Sequence, residues 1–385
     1  MLFKKPFFLL LISGTELIKY PGISAAGESH EALRYTAKLD AEFVTGDDVI
    51  LSPRSGREDP AYQNISSSTG SLRPFQGLKM THLPVSPHGI VSPALISKAC
   101  LSLLEAEILI LDLGAHEKPD CDYISIRKNP SGDISAENAF SLEEAQSLYS
   151  RGQEFLEMEI HQHGFNPEKH NLIIAECLVG GTTTALGLIT GLGYECFNMI
   201  SSSFPDGNHG LKKDLVSKGL KRVLSEQKDF ALQVKAEPLI ASAALGDALQ
   251  PFSTGIAATA LKQNLQITLA GGTQMLAIKT LIDAKLKNKF SNINELITIA
   301  TTPWVVNDKS ANFTKLMNML SPGTKLEVPD IEKVLANQKL EAEVKRLSQE
   351  KLKQELSLES ILELYKQGHV KEGVGLGAML SSWLS

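Results

Sequence analysis

The sequence has no excess of basic residues: 38 Lys and Arg stand against 44 Asp and Glu, a formal net charge of -6 over 385 residues. A chain that binds nucleic acid carries a basic patch as its electrostatic footprint, so no nucleic-acid partner is expected, and the acidic balance reads as solubility. Cysteine is scarce. Cys100, Cys121, Cys177 and Cys196 are far apart and form no CxxC pair, which argues against a disulfide framework and against a thiolate zinc site. His161 and His163 are close together without an HExxH pattern, so no metal is expected. Long apolar runs are also missing. Lys4 and Lys5 precede an apolar run over residues 7–12, too short for a membrane span or a secretory segment and without an Ala-x-Ala site. That run is expected to be a buried parallel strand opening the fold. These absences lead to the expectation of a reduced, cytoplasmic chain with no membrane partner.

What is present fits a globular enzyme: 43% hydrophobic and 21% charged residues, on a chain long enough for one large domain and a smaller one. Residues 13–93 are rich in Gly, Pro, Ser and Thr, notably around 21–27 and 52–77, and this composition favours turns over long helices. An alternating rhythm follows. Helices are expected over residues 93–105, 141–160, 182–192 and 211–224, and strands over 108–111, 171–175, 197–200, 265–270 and 296–300. Apolar runs alternating with helices predict parallel strands joined by right-handed crossovers. Charged helical stretches are expected over 331–349 and 350–365. The fold class is therefore α/β, a parallel Rossmann-like sheet flanked by helices, with a smaller mainly helical part from the chain ends. In domain terms, residues 1–93 contribute to the small domain and the pocket, 94–330 form the α/β nucleotide-binding core, and 331–385 are a helical C-terminal segment.

Three segments carry candidate chemistry. The first runs from an apolar strand through Glu176 into Gly180-Gly181-Thr182-Thr183-Thr184 and a helix, its three threonine hydroxyls adding donors; the second, Gly271-Gly272-Thr273-Gln274, repeats that grammar. Ligands of open α/β sheets sit at the carboxyl ends of the strands, glycines let a backbone approach them closely, and the free N–H groups of a helix start favour an anion. No Gly-Lys-Ser/Thr is present, so neither segment is a Walker loop. An ordinary helix-capping turn accounts for each as readily. The third is Glu372-Gly373-Val374-Gly375. A carboxylate beside glycines can act as a base with little steric obstruction, given a pKa near the working pH; an exposed surface charge is the simpler account.

Together these residues give the chain a resemblance to the nicotinate-nucleotide–dimethylbenzimidazole phosphoribosyltransferases, and more closely to their uncharacterised cyanobacterial and archaeal relatives. Gly14-Thr15-Glu16 with Pro21-Gly22-Ile23-Ser24-Ala25-Ala26-Gly27, and Leu39-Asp40-Ala41-Glu42-Phe43, are similar to the start of those relatives. Gly271-Gly272-Thr273-Gln274-Met275 is typical of them, and residues 176–183 and 372–375 are similar to the family's glutamate-to-threonine loop and Glu-Gly-Ser-Gly segment. Gly181 stands where the better-known enzymes have asparagine, and Val374 replaces the serine. The resemblance implies transfer of phosphoribose from nicotinate mononucleotide to an aromatic nitrogen base, dimethylbenzimidazole-like or adenine. The product would be an α-ribotide for the lower loop of a cobamide. It also implies no metal or other cofactor, and a homodimer. Glu372 takes the place of the catalytic base. Substrate-binding roles are expected for Glu176, Gly180, Gly181, Thr182, Thr183, Lys213, Gly271, Gly272, Thr273, Gln274, Gly373 and Gly375. Glu176 and Asp112 are the competing carboxylates for the base. A catalytically silent or differently specific nucleotide-binding homologue is the alternative.

Overall fold

The computed structural model describes residues 4–24, 26, 30–45, 91–161, 165–202, 204, 207–367 and 370–384. Seven strands form one sheet: β1 Lys5–Ser13, β2 Glu107–Leu113, β3 Ile124–Arg127, β4 His170–Leu178, β5 Ile267–Ala270, β6 Ile297–Ala300 and β7 Lys325–Glu327. Their order is β3-β2-β1-β4-β5-β6-β7, with every neighbouring pair parallel. From β1 the chain builds outward on one side through β2 and β3, then crosses to build the other side from β4 to β7. This is the doubly wound order with one edge strand added, and its switch point lies between β1 and β4.

The apolar run at residues 7–12 is the centre of the sheet, with every residue at 0% exposure. It lacks alternation because both faces are covered, as in parallel sheets generally. Phe7, Leu9 and Leu11 enter a core shared with the helices Leu142–His161, Gly181–Gly191, Leu249–Lys262 and Thr273–Leu286. Phe8, Leu10 and Ile12 enter a second core on the opposite face. That face is covered by both ends of the chain: His30–Thr45 and Ala94–Leu103 from the first part, Gln338–Leu352, Leu358–Lys366 and Leu376–Leu384 from the last. The helical C-terminal charge is thus the outer side of helices whose Leu340, Val344, Leu347, Ile361 and Leu362 are buried.

The expected strand at residues 197–200 does not form. This stretch is turn and irregular chain between two helices; its apolar residues instead close the rim of the first core, where Ile200 is fully buried and Phe197 and Met199 pack partly. Two strands lacked a sequence signal. β3 has four residues, and β7, at the sheet edge, has three, Lys325 and Glu327 among them. The turn-favouring composition of residues 13–93 conceals the 16-residue helix His30–Thr45, and residues 46–90, with the stretch 52–77, lie outside the described residues. All four cysteines are buried and free. Among the described residues no helix is long and apolar enough to cross a membrane.

Candidate functional site

Strand register decides which residues meet. Ala175 of β4, Ala270 of β5 and Ala300 of β6 lie in one row across the sheet, so Glu176, Gly271 and Thr301 follow at one level along its carboxyl edge. The three alanines face the second core, and their small side chains leave room for the C-terminal turn to settle on the sheet. Gly375, at φ +69°, lies so close that a Cβ there would meet Ala175 Cβ at 2.9 Å and Ala270 Cβ at 3.3 Å. The glycine is required both by its left-handed backbone and by this approach.

On the first-core side, two helices start beside each other. Gly180, left-handed, precedes Gly181–Gly191 after β4, and Gly272 precedes Thr273–Leu286 after β5; neither start has a side-chain cap. Their first N–H groups are therefore available to an anion. Asp247 ties the two together. Its Oδ2 accepts from Thr184 Oγ1 at 2.6 Å, Gln274 Nε2 at 2.6 Å and Gln250 Nε2 at 2.9 Å, and its Oδ1 from the Leu249 N–H at 3.0 Å. Burial still pushes Asp247 up to about 6 despite these donors. Thr183 Oγ1 and Gln274 Oε1 are buried with no hydrogen-bond partner. Thr182 is half-buried, and Thr273 Oγ1 donates to the Ser201 carbonyl at 3.4 Å.

Glu372 is half-buried in a cradle of four donors. Oε1 accepts from the N–H groups of Gly373 at 3.2 Å and Gly377 at 3.1 Å; Oε2 accepts from the Thr302 N–H at 2.9 Å and Thr301 Oγ1 at 3.1 Å. Thr302 Oγ1 also donates to the Lys371 carbonyl. The neighbouring Lys371 turns the other way, into a buried ion pair with Asp308 at 2.6 Å and a hydrogen bond to the Phe204 carbonyl at 3.0 Å. Burial pushes Glu372 up to about 7 against the pull of its donors. Glu176 rises further, to about 8, through burial first and then through the charges of Asp247, Glu372 and Asp40. Asp40, bonded to Ser92 at 2.6 Å, is raised by burial to about 6. The carboxyl edge of the sheet thus gathers four acids that hold protons more tightly than usual. Desolvation disfavours the charged form of each, and at Glu176 the neighbouring acids add repulsion.

No protein-family model matches the chain. It is similar over nearly its whole length to the UPF0284 protein of Microcystis aeruginosa, 34% identical over 373 residues that cover 97% of this chain and 85% of that one. The UPF0284 protein of Methanothermobacter thermautotrophicus is 31% identical over 379 residues, 98% of this chain and 87% of its own. The chain belongs to the UPF0284 family. Its fold is that of the nicotinate-nucleotide-dimethylbenzimidazole phosphoribosyltransferase of Thermus thermophilus: one solved structure has a TM-score of 0.57 and 13% identity, covering 98% of this chain and 80% of that one. A second, of CobT from the same organism, has a TM-score of 0.57 and 14% identity over 99% and 81%. The resemblance expected from the sequence, to this transferase fold and to cyanobacterial and archaeal relatives, agrees with these matches.

In this UPF0284 chain the structure brings together Glu176, the turns at Gly180–Thr183 and Gly271–Gln274, and the Glu372–Gly375 segment. Lys213 stands apart. The buried side of its helix, His209–Glu226, carries Lys212, Leu215, Val216, Gly219 and Val223; one residue further round, Lys213 is exposed with its ammonium over the Phe197 ring at 5.9 Å. Lys212 is the lysine that turns inward, donating to the Gly207 carbonyl at 2.7 Å. Asp112 is committed elsewhere: it accepts from the N–H groups of Gly114 and Ala115 and pairs with Lys118 at 2.6 Å, bracing the loop after β2. The sequence reading missed Asp247, Thr301 and Thr302. Only the last pair left a signal, a threonine N-cap followed by Pro303 after an apolar strand.

Proposed function

We propose that this chain transfers the phosphoribosyl group of nicotinate mononucleotide to an aromatic nitrogen base, dimethylbenzimidazole-like or adenine, giving an α-ribotide for the lower loop of a cobamide. The observation that carries this reading is the convergence of two uncapped helix starts with two carboxyls whose pKa values lie near neutrality. Free N–H groups at Gly181, Thr182, Thr273 and Gln274 suit a phosphate dianion and hold it away from the reacting carbon. Glu372, close to half ionised at neutral pH, suits a general base, because proton transfer is most efficient when the pKa of the base matches the working pH. Glu176, mostly protonated there, can donate a hydrogen bond to a ribose hydroxyl or to the departing base without adding repulsion to an anionic donor.

One ring nitrogen of the acceptor forms the bond to the anomeric carbon. The bond from that carbon to nicotinate breaks, and its electron pair leaves on the pyridine nitrogen. The other ring nitrogen loses its proton to Glu372 and keeps the pair, so the positive charge that builds on the attacking ring is removed where a carboxylate already lies. Glu372 and Glu176 give the reaction its proton acceptor and its hydrogen-bond donor from this chain's own residues.

The reading carries a cytoplasmic location and a homodimer, and sedimentation of the purified chain tests the dimer. The test of the chemistry is incubation with nicotinate mononucleotide and either 5,6-dimethylbenzimidazole or adenine, with mass detection of the ribotide and of released nicotinate. Val374 and Gly181, which replace the serine and asparagine expected at these places, favour one competing reading: a nucleotide-binding homologue that is silent or differently specific. Donor binding by calorimetry without either product in that incubation would select it.

A further inference from the structure

Three of the four donors to Glu372 are backbone N–H groups, fixed by the fold. The fourth is the hydroxyl of Thr301, a side chain with no solvent exposure. Thr301 is itself held in place. Its N–H donates to the Glu327 carbonyl of β7 at 3.0 Å, and Gly377 packs so tightly on it that a Cβ at 377 would meet Thr301 C at 2.3 Å and Cα at 2.5 Å. The backbone of Thr301 is therefore held between β7 and the start of the helix Leu376–Leu384 that follows Glu372, and from there its hydroxyl meets the carboxylate.

The donors differ in what they tolerate. A carboxylate has about four lone-pair sites, and here four donors engage it. When it takes up a proton, it becomes a donor and needs an acceptor. A backbone N–H cannot serve as one; a hydroxyl is both donor and acceptor and turns on its bond.

We propose that Thr301 is a positioning residue for proton transfer: its hydroxyl donates to Glu372 while the carboxylate is ionised and turns to accept from it once the acceptor's N–H proton has arrived. The inference rests on the proposed role of Glu372 as base and extends it to the hydroxyl that sets where the base ionises. In the step itself the azole N–H bond breaks, its electron pair stays on the ring, and the proton joins Glu372 on the lone pair of Oε2 that the turning Thr301 hydroxyl gives up. The hydroxyl bonds both forms of Glu372 but bonds the charged form about twice as strongly, so its net effect is to favour the ionised base. The other charged groups near Glu372 are Glu176 from β4 and, on the neighbouring residue, the Lys371–Asp308 pair; Asp247 and Asp40 act on Glu176 behind it. None of these changes when Thr301 is replaced by a residue of the same shape.

The experiment compares Thr301→Val, which keeps the shape and loses the hydroxyl, with Thr301→Ser, which keeps the hydroxyl. The first readout is the carbon NMR titration of the glutamate carboxyl resonance that Glu372→Gln removes, and it needs no turnover. Its midpoint should rise by about one pH unit in Thr301→Val, on the scale of a hydrogen bond to a charged group, and return to the unmodified position in Thr301→Ser. The second is the pH dependence of kcat/KM with nicotinate mononucleotide and 5,6-dimethylbenzimidazole. For a group that works ionised, a higher midpoint lowers the rate below it and leaves the plateau alone, so Thr301→Val should be about tenfold slower at pH 6 and near normal at pH 8.5. If Thr301→Val does not fold, Thr301→Ala replaces it, with the same expected rise. An unmoved midpoint in the folded hydroxyl-free variant overturns the proposal. Absence of turnover in the unmodified chain overturns the function instead, while the titration still decides on Thr301.

Discussion

Glu372 is subject to two opposing demands. Burial raises its pKa, and four donors lower it, and the balance falls near neutrality. Replacement by glutamine separates the effects. The amide keeps the shape but sets an NH2 against donors that need an acceptor, at a cost of about 1–3 kcal/mol in stability. Glu372→Gln is expected to fold with a lowered melting temperature, to keep donor binding, and to lose turnover by roughly 100-fold or more, the scale of a missing general base. Parallel kinetics of Glu176→Gln and Asp112→Asn locate the role. Near-normal turnover in Glu372→Gln would move the base to Glu176, whereas Asp112, already engaged by Lys118 and two N–H groups, should affect the loop after β2 more than the chemistry. Much of this candidate site was legible because glycine patterns mark it: two Gly-Gly-Thr turns after strands, and Glu372 before a glycine-rich turn. Asp247 was not, because it comes from a short link between the helices Leu239–Leu245 and Leu249–Lys262, and only the packing of those helices brings it under both turns. Lys213 lies one residue round from the buried Lys212, a step that on a helix rotates a side chain by about 100°, and is exposed.

The turns that follow β4 and β5 leave helix starts uncapped, and each owes this to glycine for a different reason. Gly180 has a left-handed backbone, with φ at +85°, and a Cβ there would press on Thr15 Cγ2 at 3.1 Å. Gly272 has φ at -92°, and a Cβ there would meet Val305 at an ordinary 3.4 Å. Packing therefore leaves room for a methyl at Gly272, and what the methyl would obstruct is close approach by a ligand to the backbone. Gly272→Ala is expected to keep the melting temperature within about 2 °C while weakening nicotinate mononucleotide binding by roughly tenfold or more, on the scale of about 1.4 kcal/mol per factor of ten. Calorimetry on the folded variant checks this, and unchanged affinity would count against a phosphate at this turn. The long elements were readable because their apolar patterns were: β1, β2, β4, β5 and β6 lie where the apolar runs fell, and four of the expected helices match within two residues at most boundaries. The helix Leu249–Lys262 gave no such pattern. It contains Pro251 and Gly255 and is buried on every side but its last turn, so it has no polar face to generate a period. The stretch 197–200 failed for the converse reason. An apolar run of four residues identifies burial without identifying a strand.

Across the whole molecule, acids of raised pKa make stability depend on pH in an unusual direction. Glu176 at about 8, Glu372 at about 7, and Asp247 and Asp40 at about 6 all lie above the ordinary carboxyl range in the folded chain. The unfolded chain releases those protons near pH 4 to 4.5. Between that point and the folded values the native state binds more protons than the unfolded one, so stability falls as pH rises. The contribution of each acid is complete below its unfolded pKa and is lost as pH passes its folded pKa. Asp133 and Asp308 have the opposite sense: burial opposes their charged forms, but Lys19, Ser135 and Tyr20 on one, and Lys371, Ser201 and Ser310 on the other, hold the pKa low. Their stabilisation is lost only at more acid pH, so the raised acids dominate above about pH 5. The melting temperature should therefore fall steadily from pH 5 to pH 8.5. Glu176→Gln isolates the largest part. Glutamine matches the protonated carboxyl in shape and can still accept the Leu178 N–H that Glu176 holds. At pH 4, below the point where the unfolded glutamate ionises, the variant and the unmodified chain should melt together. At pH 8.5, where only the unmodified chain bears the burial of a charge next to Asp247 and Glu372, the variant should melt higher by roughly 2–4 °C. Scanning calorimetry of both chains at these two pH values checks the difference. Equal melting temperatures at pH 8.5 would mean that Glu176 ionises freely in water, and the protonated Glu176 of the proposed reaction would then have no basis.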